Sequence, residues 1–230
     1  MLHAIVFDFD GVIADSEPLH LEVYQQVLSD RGIALSSDAY YDRYLGYDDV
    51  GGFKAVLTDH GRPADDETVR ELVEAKARLF PALVDGRNVL FPDAAAVIRE
   101  FADRLPLAIA SGALPHEIEL ILTAAGIRDA FSVIVGAGQT PRSKPSPDPY
   151  ARAVELLQER GLVAGGADAA AGCVAIEDSK WGILSAKAAG LACVAVTTSY
   201  AADELTDADL VVHRLGELTV DVMKGLVARA

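Results

Sequence analysis

Six short apolar runs punctuate the chain without polar alternation: Ala4–Phe7, Leu107–Ala110, Val133–Val135, Cys173–Ile176, Cys193–Val196 and Leu210–Val212. Such runs fit strands covered on both faces, as in a parallel sheet. Between them the spacing becomes helical, over about 94–104, 115–125, 147–161 and 180–189, with 215–229 closing the chain. This alternation predicts a doubly wound α/β fold with ligands at the carboxyl ends of its strands.

One interval breaks the rhythm. From about residue 15 to 86 there is no buried-strand pattern, only helical stripes. Leu19, Val23, Val27 and Leu28 form one stripe in 19–31, ahead of Gly32 as a stop signal. Val69, Leu72, Val73, Ala75, Leu79 and Phe80 form another in 66–80, where Glu67, Glu71, Glu74, Lys76 and Arg78 are expected to make a charged outer face. The pattern predicts a Rossmann-like core of residues 1–14 and 87–230 with a small all-α cap domain, 15–86, inserted after the first strand. Segments 11–18 and 84–92 would link the two, with Gly86 and Pro92 marking the second, and the insert is a candidate lid above Asp8 and Asp10. The glycine-rich stretch 164–170 is expected to be a flexible surface loop.

Composition narrows the function. With 230 residues, 51% of them hydrophobic, the chain can build a large core plus a modest second domain. A formal net charge of −15 argues against nucleic-acid or anionic-membrane partners, so an anionic substrate needs local cations or a metal. Cys173 and Cys193 lie within apolar runs and are expected to be buried and reduced. No apolar run has signal-peptide or membrane-spanning character, which sets a cytoplasmic expectation.

Four strand ends carry polar groups. The first ends in Asp8-Phe9-Asp10-Gly11, where residues i and i+2 of an extended chain project to one side and Gly11 permits a sharp exit. Two close carboxylates repel, which points to a cation between them or to one held protonated. The second ends in Ser111-Gly112, a hydroxyl beside backbone N–H groups suited to an anion. Ser111 also qualifies as a helix N-cap, although Pro115 favours a later helix start. The loop after the third holds Arg142 and Lys144, with Pro145 and Pro147 behind, and the fourth ends in Glu177-Asp178-Ser179. His3, His60, His116 and His213 show no ligand spacing.

Acids, hydroxyl, cation and acids at consecutive strand ends suit phosphoryl transfer. Phosphate esters resist anionic attack, so nucleophile and phosphate charges must be neutralised together, a task for Mg²⁺ with carboxylate ligands. In this reading Asp8 is the nucleophile and Asp10 the acid/base, while Lys144 neutralises developing charge. Ser111 and Gly112 hold phosphoryl oxygens, and Asp178 completes the metal site.

Those residues also carry a resemblance. Asp8-Phe9-Asp10-Gly11-Val12, Ala110-Ser111-Gly112, Ser143-Lys144-Pro145 and Glu177-Asp178-Ser179 resemble, in order and spacing, the four motifs of the haloacid dehalogenase superfamily of phosphotransferases. The resemblance implies Mg²⁺ held by the Asp8 carboxylate, the Asp10 backbone carbonyl and Asp178, with Glu177 nearby. Ser16-Glu17-Pro18-Leu19-His20 and the insert are similar to the β-phosphoglucomutase-like branch, which implies a cap closing over sugar phosphates, with Lys76 facing substrate and His20 supporting the acid/base and hinge region, both as substrate-binding candidates. The mutases place a cap arginine against a second phosphate; here the segment reads Gly46-Tyr47-Asp48-Asp49-Val50, with Arg43 and Lys54 as candidates to substitute for it. A phosphatase of small phosphorylated metabolites is therefore expected ahead of a phosphomutase or a silent binding protein. A monomer is expected, with a dimer as the alternative. Trp181, bulky and near the fourth motif, suits packing or substrate contact equally.

Overall fold

The computed structural model describes residues 1–45, 47–166 and 169–228. Its strands are β1 (Ala4–Phe7), β2 (Leu107–Ala110), β3 (Phe131–Val135), β4 (Cys173–Glu177), β5 (Ala192–Val196) and β6 (Leu210–Val212). They form one parallel sheet in the order β3-β2-β1-β4-β5-β6. The chain winds outward from β1 through β2 to β3, then crosses back to begin again at β4. β1 and β4 therefore flank the switch point, where a crevice opens beyond the strand ends. The chain forms two compact units, Met1–Asp15 with Val89–Ala230, and Ser16–Asn88.

The Ser16–Asn88 unit contains α1 (Glu17–Ser29), α2 (Ser37–Arg43), α3 (Asp49–Asp59) and α4 (Asp66–Val84). The hydrophobic pattern pointed directly to α1 and α4; the α1 stripe is buried, and in α4 Val69, Leu72 and Phe80 are buried while Val73, Ala75 and Leu79 are half-buried. The polar α2 and the glycine-containing α3 have weaker stripes, but their starts are chemically marked. Ser36 and Asp48 accept from the backbone N–H of Ala39 and Gly51, as Asp65 does from Thr68 at the start of α4. Val23, Leu28, Phe53, Val56, Leu72 and Phe80 make the centre of the unit, with Tyr24 stacked on Phe53 at 4.2 Å. One expectation is corrected: Lys76 does not join the charged outer face of α4 but is 1% exposed and ion-paired with Asp49 at 2.8 Å. It stands four residues from both Leu72 and Phe80, on the buried stripe of α4, where Asp49 supplies the counter-charge that a buried ammonium requires.

Around the sheet lie α5 (Ala94–Ala102), α6 (Pro115–Ala124), α7 (Asp148–Glu159), α8 (Lys180–Ala188) and α9 (Val220–Val227). Of the segment expected to form a closing helix over 215–229, Arg229 lies outside the described residues, and the rest holds a 3-10 turn at Leu215–Glu217 and α9. In the stretch 164–170, Ala167 and Asp168 lie outside the described residues, and the buried Ala169 leads into a 3-10 turn. No helix among the described residues is long and apolar enough to cross a membrane.

Period-two alternation gives the sheet two unlike faces. Ala4, Val6, Ala108, Ala110, Cys173, Ala175, Cys193 and Ala195 share one core cluster with Tyr150, Ala153 and Leu157 of α7 and Ile183 and Ala186 of α8. The alternate positions, Ile5, Phe7, Leu107, Ile109, Val174 and Ile176, are larger and turn the other way. Small residues thus let α7 and α8 pack close to the sheet, and both cysteines are buried and free there. A shift in pairing between Leu107 and Ala108 sets Phe131 level with Leu107, and its ring meets Phe7 edge-on at 5.9 Å.

The two faces should respond differently to added volume. Ala108→Leu forces extra methylenes under α7 and is expected to cost about 1–3 kcal/mol. Ile109→Leu, volume-conserving on the opposite face, should cost less than about 1.5 kcal/mol. Urea midpoints at constant m-value measure both; equal losses would show that the thin face has room to spare.

Candidate active site

Register decides which acids meet. Phe7 pairs with Ile176, and the Asp8 N–H donates to the Ile176 carbonyl at 2.9 Å, so Asp8 and Glu177 leave adjacent strands side by side. Asp8, Glu177 and Asp178 are all buried, and each offers a carboxylate oxygen within 4.8 Å of the others. Asp10 is half-buried and not in this trio. β1 ends at Phe7, so Asp8 and Asp10 follow the strand end, and a tight turn comes next; the Asp10 charge still acts to raise Asp8. The Phe9 carbonyl accepts from the N–H groups of Ile13 and Ala14, at 2.8 and 3.0 Å, with the Phe9 side chain buried. Gly11 has φ +76°, and a Cβ there would lie 1.9 Å from Asp178 Oδ2. Glycine is thus required both by backbone conformation and by the approach of Asp178.

Lys144 enters between the acids. Its Nζ lies 2.9 Å from Asp8 Oδ1 and 2.6 Å from Glu177 Oε1. Its loop is fixed from both sides: Ser185 of α8 donates to the Ser146 carbonyl, and Ser146 Oγ donates to Asp148 Oδ1 at 2.7 Å. Arg142, the other cation of the loop, points outward and pairs with Asp148. Glu177 is heavily engaged. Its Oε1 accepts from Lys144 and from the Tyr150 hydroxyl at 2.8 Å, and its Oε2 from Asp178 N, Ser179 N and Ser179 Oγ. Gly182 makes room, since a Cβ there would fall 1.8 Å from Glu177 Oε1.

On the other side of β1, Phe7 pairs with Ile109, which places Ala110 level with Asp8 and Ser111 one residue beyond. Ser111 is buried, and its Oγ accepts from the Ala113 N–H at 3.1 Å, leaving its own proton to donate. It does not cap α6, whose N-cap is Leu114 with Pro115 in the first turn. Gly112 is exposed, and a Cβ there would meet nothing, so packing does not demand it. His20 and Lys76 belong to the Ser16–Asn88 unit, where His20 stacks on Phe80 at 4.9 Å and Lys76 Nζ sits 5.3 Å from the same ring. Burial, aided by Lys76, holds His20 well below the usual imidazole range. Trp181 is 55% exposed, which sets aside its packing role.

Three participants escaped the sequence reading. Tyr150 lies six residues after Lys144, in the first turn of α7, and donates to Glu177. Ser199 donates to Asp178 Oδ2, and Thr198 donates to the Gly11 carbonyl, both from the loop after β5. Their signal was present: Thr197-Thr198-Ser199 follows directly on a fifth buried strand, the position that had flagged the other four.

The electrostatics follow from three buried carboxylates facing one lysine. Burial first, then Glu177, raises Asp8 from 3.8 to about 7, against the opposing pull of Lys144. Burial, Glu177 and Asp8 raise Asp178 well above its ordinary value, partly offset by the Ser199 hydrogen bond. For Lys144, burial works downward, but Asp8 and Glu177 outweigh it and keep the ammonium protonated. Buried, oxygen-only and short of positive charge, the donor set fits a hard divalent cation such as Mg²⁺.

Comparison with known proteins agrees with this geometry. The haloacid dehalogenase-like hydrolase family matches residues 2–190. The plasmid-encoded protein CbbY of Cupriavidus necator is 35% identical, over 94% of this chain and 87% of that protein. Hexitol phosphatase B of Escherichia coli K12 is 30% identical over 96% of both chains. The crystal structure of CbbY from Rhodobacter sphaeroides in complex with phosphate superposes with a TM-score of 0.84 at 26% identity, over 97% of this chain and all of that one. The chain belongs to the haloacid dehalogenase-like hydrolases. It is an enzyme of the phosphoric monoester hydrolase class.

Asp8 makes stability pH-dependent in the metal-free protein. Because its folded pKa of about 7 exceeds its ordinary 3.8, the folded state binds the extra proton between those values. Its contribution is fully present below the lower value and is lost as pH rises through the upper one. In EDTA, the urea midpoint should therefore fall between about pH 4 and pH 7, and Asp8→Asn should flatten that slope. An unchanged slope in the variant would refute the assignment.

Proposed function

We propose that the protein is a Mg²⁺-dependent phosphatase of a small phosphorylated metabolite, a sugar phosphate, working through an aspartyl-phosphate. The observation that carries this reading is the Asp8 carboxylate held 2.9 Å from Lys144 among buried acids at the β1–β4 switch point. Asp8 attacks phosphorus, forming an acyl phosphate as the ester P–O bond breaks, and Asp10 gives its proton to the departing alkoxide. Asp10 then takes a proton from water, whose oxygen attacks the same phosphorus; inorganic phosphate leaves and Asp8 is restored. Lys144 balances the charge that accumulates on the phosphoryl oxygens, while the Ser111 hydroxyl and the Gly112 N–H hold them in place.

Asp8, Asp178 and the Asp10 backbone carbonyl would hold the Mg²⁺, with Glu177 beside them. The bound ion would keep Asp8 ionised and draw charge from the phosphate. Ser199 turns Asp178 by holding one of its two oxygens. Recognition of the rest of the substrate is assigned to the insert, with His20 and Lys76 as its candidates.

The sugar-phosphate assignment draws on hexitol phosphatase B, whose substrate class its name gives, and on the phosphate bound by the Rhodobacter CbbY. Hydrolysis is preferred to transfer onto a second sugar because of the segment 46–50. Gly46 lies outside the described residues; Asp48 caps α3, and Asp49 is paired with Lys76 inside the insert. Arg43 and Lys54 are likewise paired, with Asp59 and Asp66.

A panel of sugar and polyol monophosphates assayed with Mg²⁺ for phosphate release tests the activity, with sugar-phosphate isomerisation followed in the same reactions. Release should outpace isomerisation, and Asp8→Asn should abolish it in a folded protein. Hydrolysis retained in that variant sinks the mechanism, and faster isomerisation makes the protein a mutase. Mg²⁺ should also raise the melting temperature more at about pH 7.5 than at about pH 5.5, because protons compete for the same carboxylates. Asp178→Asn should remove most of that shift.

A further inference from the structure

Tyr150 sits in the first turn of α7, 0% exposed, among the small residues of the thin sheet face. Apolar surroundings account for its ring but not for its hydroxyl. That group donates to Glu177 Oε1 at 2.8 Å, the same oxygen that accepts from Lys144 at 2.6 Å. The ring centroid lies 5.0 Å from Lys144 Nζ, within cation–π range. One side chain therefore touches both the lysine and the lysine's counter-ion.

The arrangement matters because a lysine ammonium ends a flexible four-carbon stem and must be held to act at one place. Backbone and Ser179 donors fix the Oε2 edge of Glu177, but only Tyr150 and Lys144 are hydrogen-bonded to its Oε1 among the described residues. Without the hydroxyl, the carboxylate edge facing Lys144 keeps the lysine as its one hydrogen-bond partner among the described residues. Phenylalanine would fill the same space and keep the cation–π contact, so the hydroxyl can be separated from the ring.

We propose that Tyr150 is a positioning residue: its hydroxyl fixes Glu177, and the fixed carboxylate and the ring together hold the Lys144 ammonium against Asp8. The proposal deepens the phosphatase reading above and rests on Lys144 acting at the phosphoryl group. It makes the close approach of α7 to the sheet a condition of turnover as well as of packing.

Tyr150→Phe tests it, with p-nitrophenyl phosphate and Mg²⁺ as the probe and melting temperature measured alongside. The expected result is a kcat lower by about tenfold with KM within about twofold, in a protein that remains folded. An unchanged kcat overturns the proposal. So does a lowered melting temperature with kcat per folded molecule intact, or a rise in KM alone, since these mark a structural or substrate-binding role. A crystal structure of the variant gives a readout independent of turnover: Lys144 Nζ should leave its contact with Asp8, and a lysine in its original place refutes the inference. Failure of the phosphatase reading is distinguishable, because it would show as absent wild-type turnover across the ester panel or as hydrolysis retained by Asp8→Asn.

Discussion

Three carboxylates in one buried crevice would be untenable without the ammonium of Lys144 between two of them, and much of the surrounding architecture serves to keep it there. Charges removed from water cost several kcal/mol each unless they are paired and hydrogen-bonded. Lys144 reaches Asp8 and Glu177 at once, and Glu177 spends its remaining lone pairs on Tyr150, Ser179 and backbone N–H groups. Even so the balance stays negative, and Asp8 and Asp178 are both pushed upward. A site short of positive charge is disposed to gather a divalent cation and a phosphate together, since each makes the other's binding less costly.

The sheet explains why these groups converge. Strand order places β1 beside β4, and their register sets Asp8 against Glu177. Alanine and cysteine along one face let α7 and α8 come close, bringing the loop that bears Lys144 within reach. Gly11 and Gly182 remove the Cβ atoms that would collide with Asp178 and Glu177. The loop after β5 joins the site through Thr198, which donates to the Gly11 carbonyl, and Ser199, which donates to Asp178.

The insert obeys the same electrostatic rule by another route. Its buried cation, Lys76, is balanced from within the unit by Asp49, and the Tyr24 hydroxyl makes long contacts of 3.4 Å with that acid. The Tyr40 hydroxyl likewise donates to Glu17 at 2.8 Å. Burial, and then these acids, raise the pKa of both tyrosines, so each remains a hydrogen-bond donor.

By itself the sequence determined the strands, the longer amphipathic helices and the identities of the reactive residues. These depend on local matters: apolar runs of strand length, stripes of period 3.6, and polar groups placed where a buried strand must end. Helices α2 and α3 were less visible because short polar segments owe their helicity to capping and to neighbours rather than to a stripe of their own. Tertiary structure decided who meets whom. Asp8 and Asp10 are neighbours in sequence, yet the carboxylates gathered with Asp8 are Glu177 and Asp178, brought by strand register from the far half of the chain. Lys76 reads as one charge on a charged helix until the fold buries it, and nothing local to Tyr150 announces that its hydroxyl will meet Glu177. Periodicity records which side of an element turns inward, whereas the partner waiting there is set by packing between segments far apart in the chain.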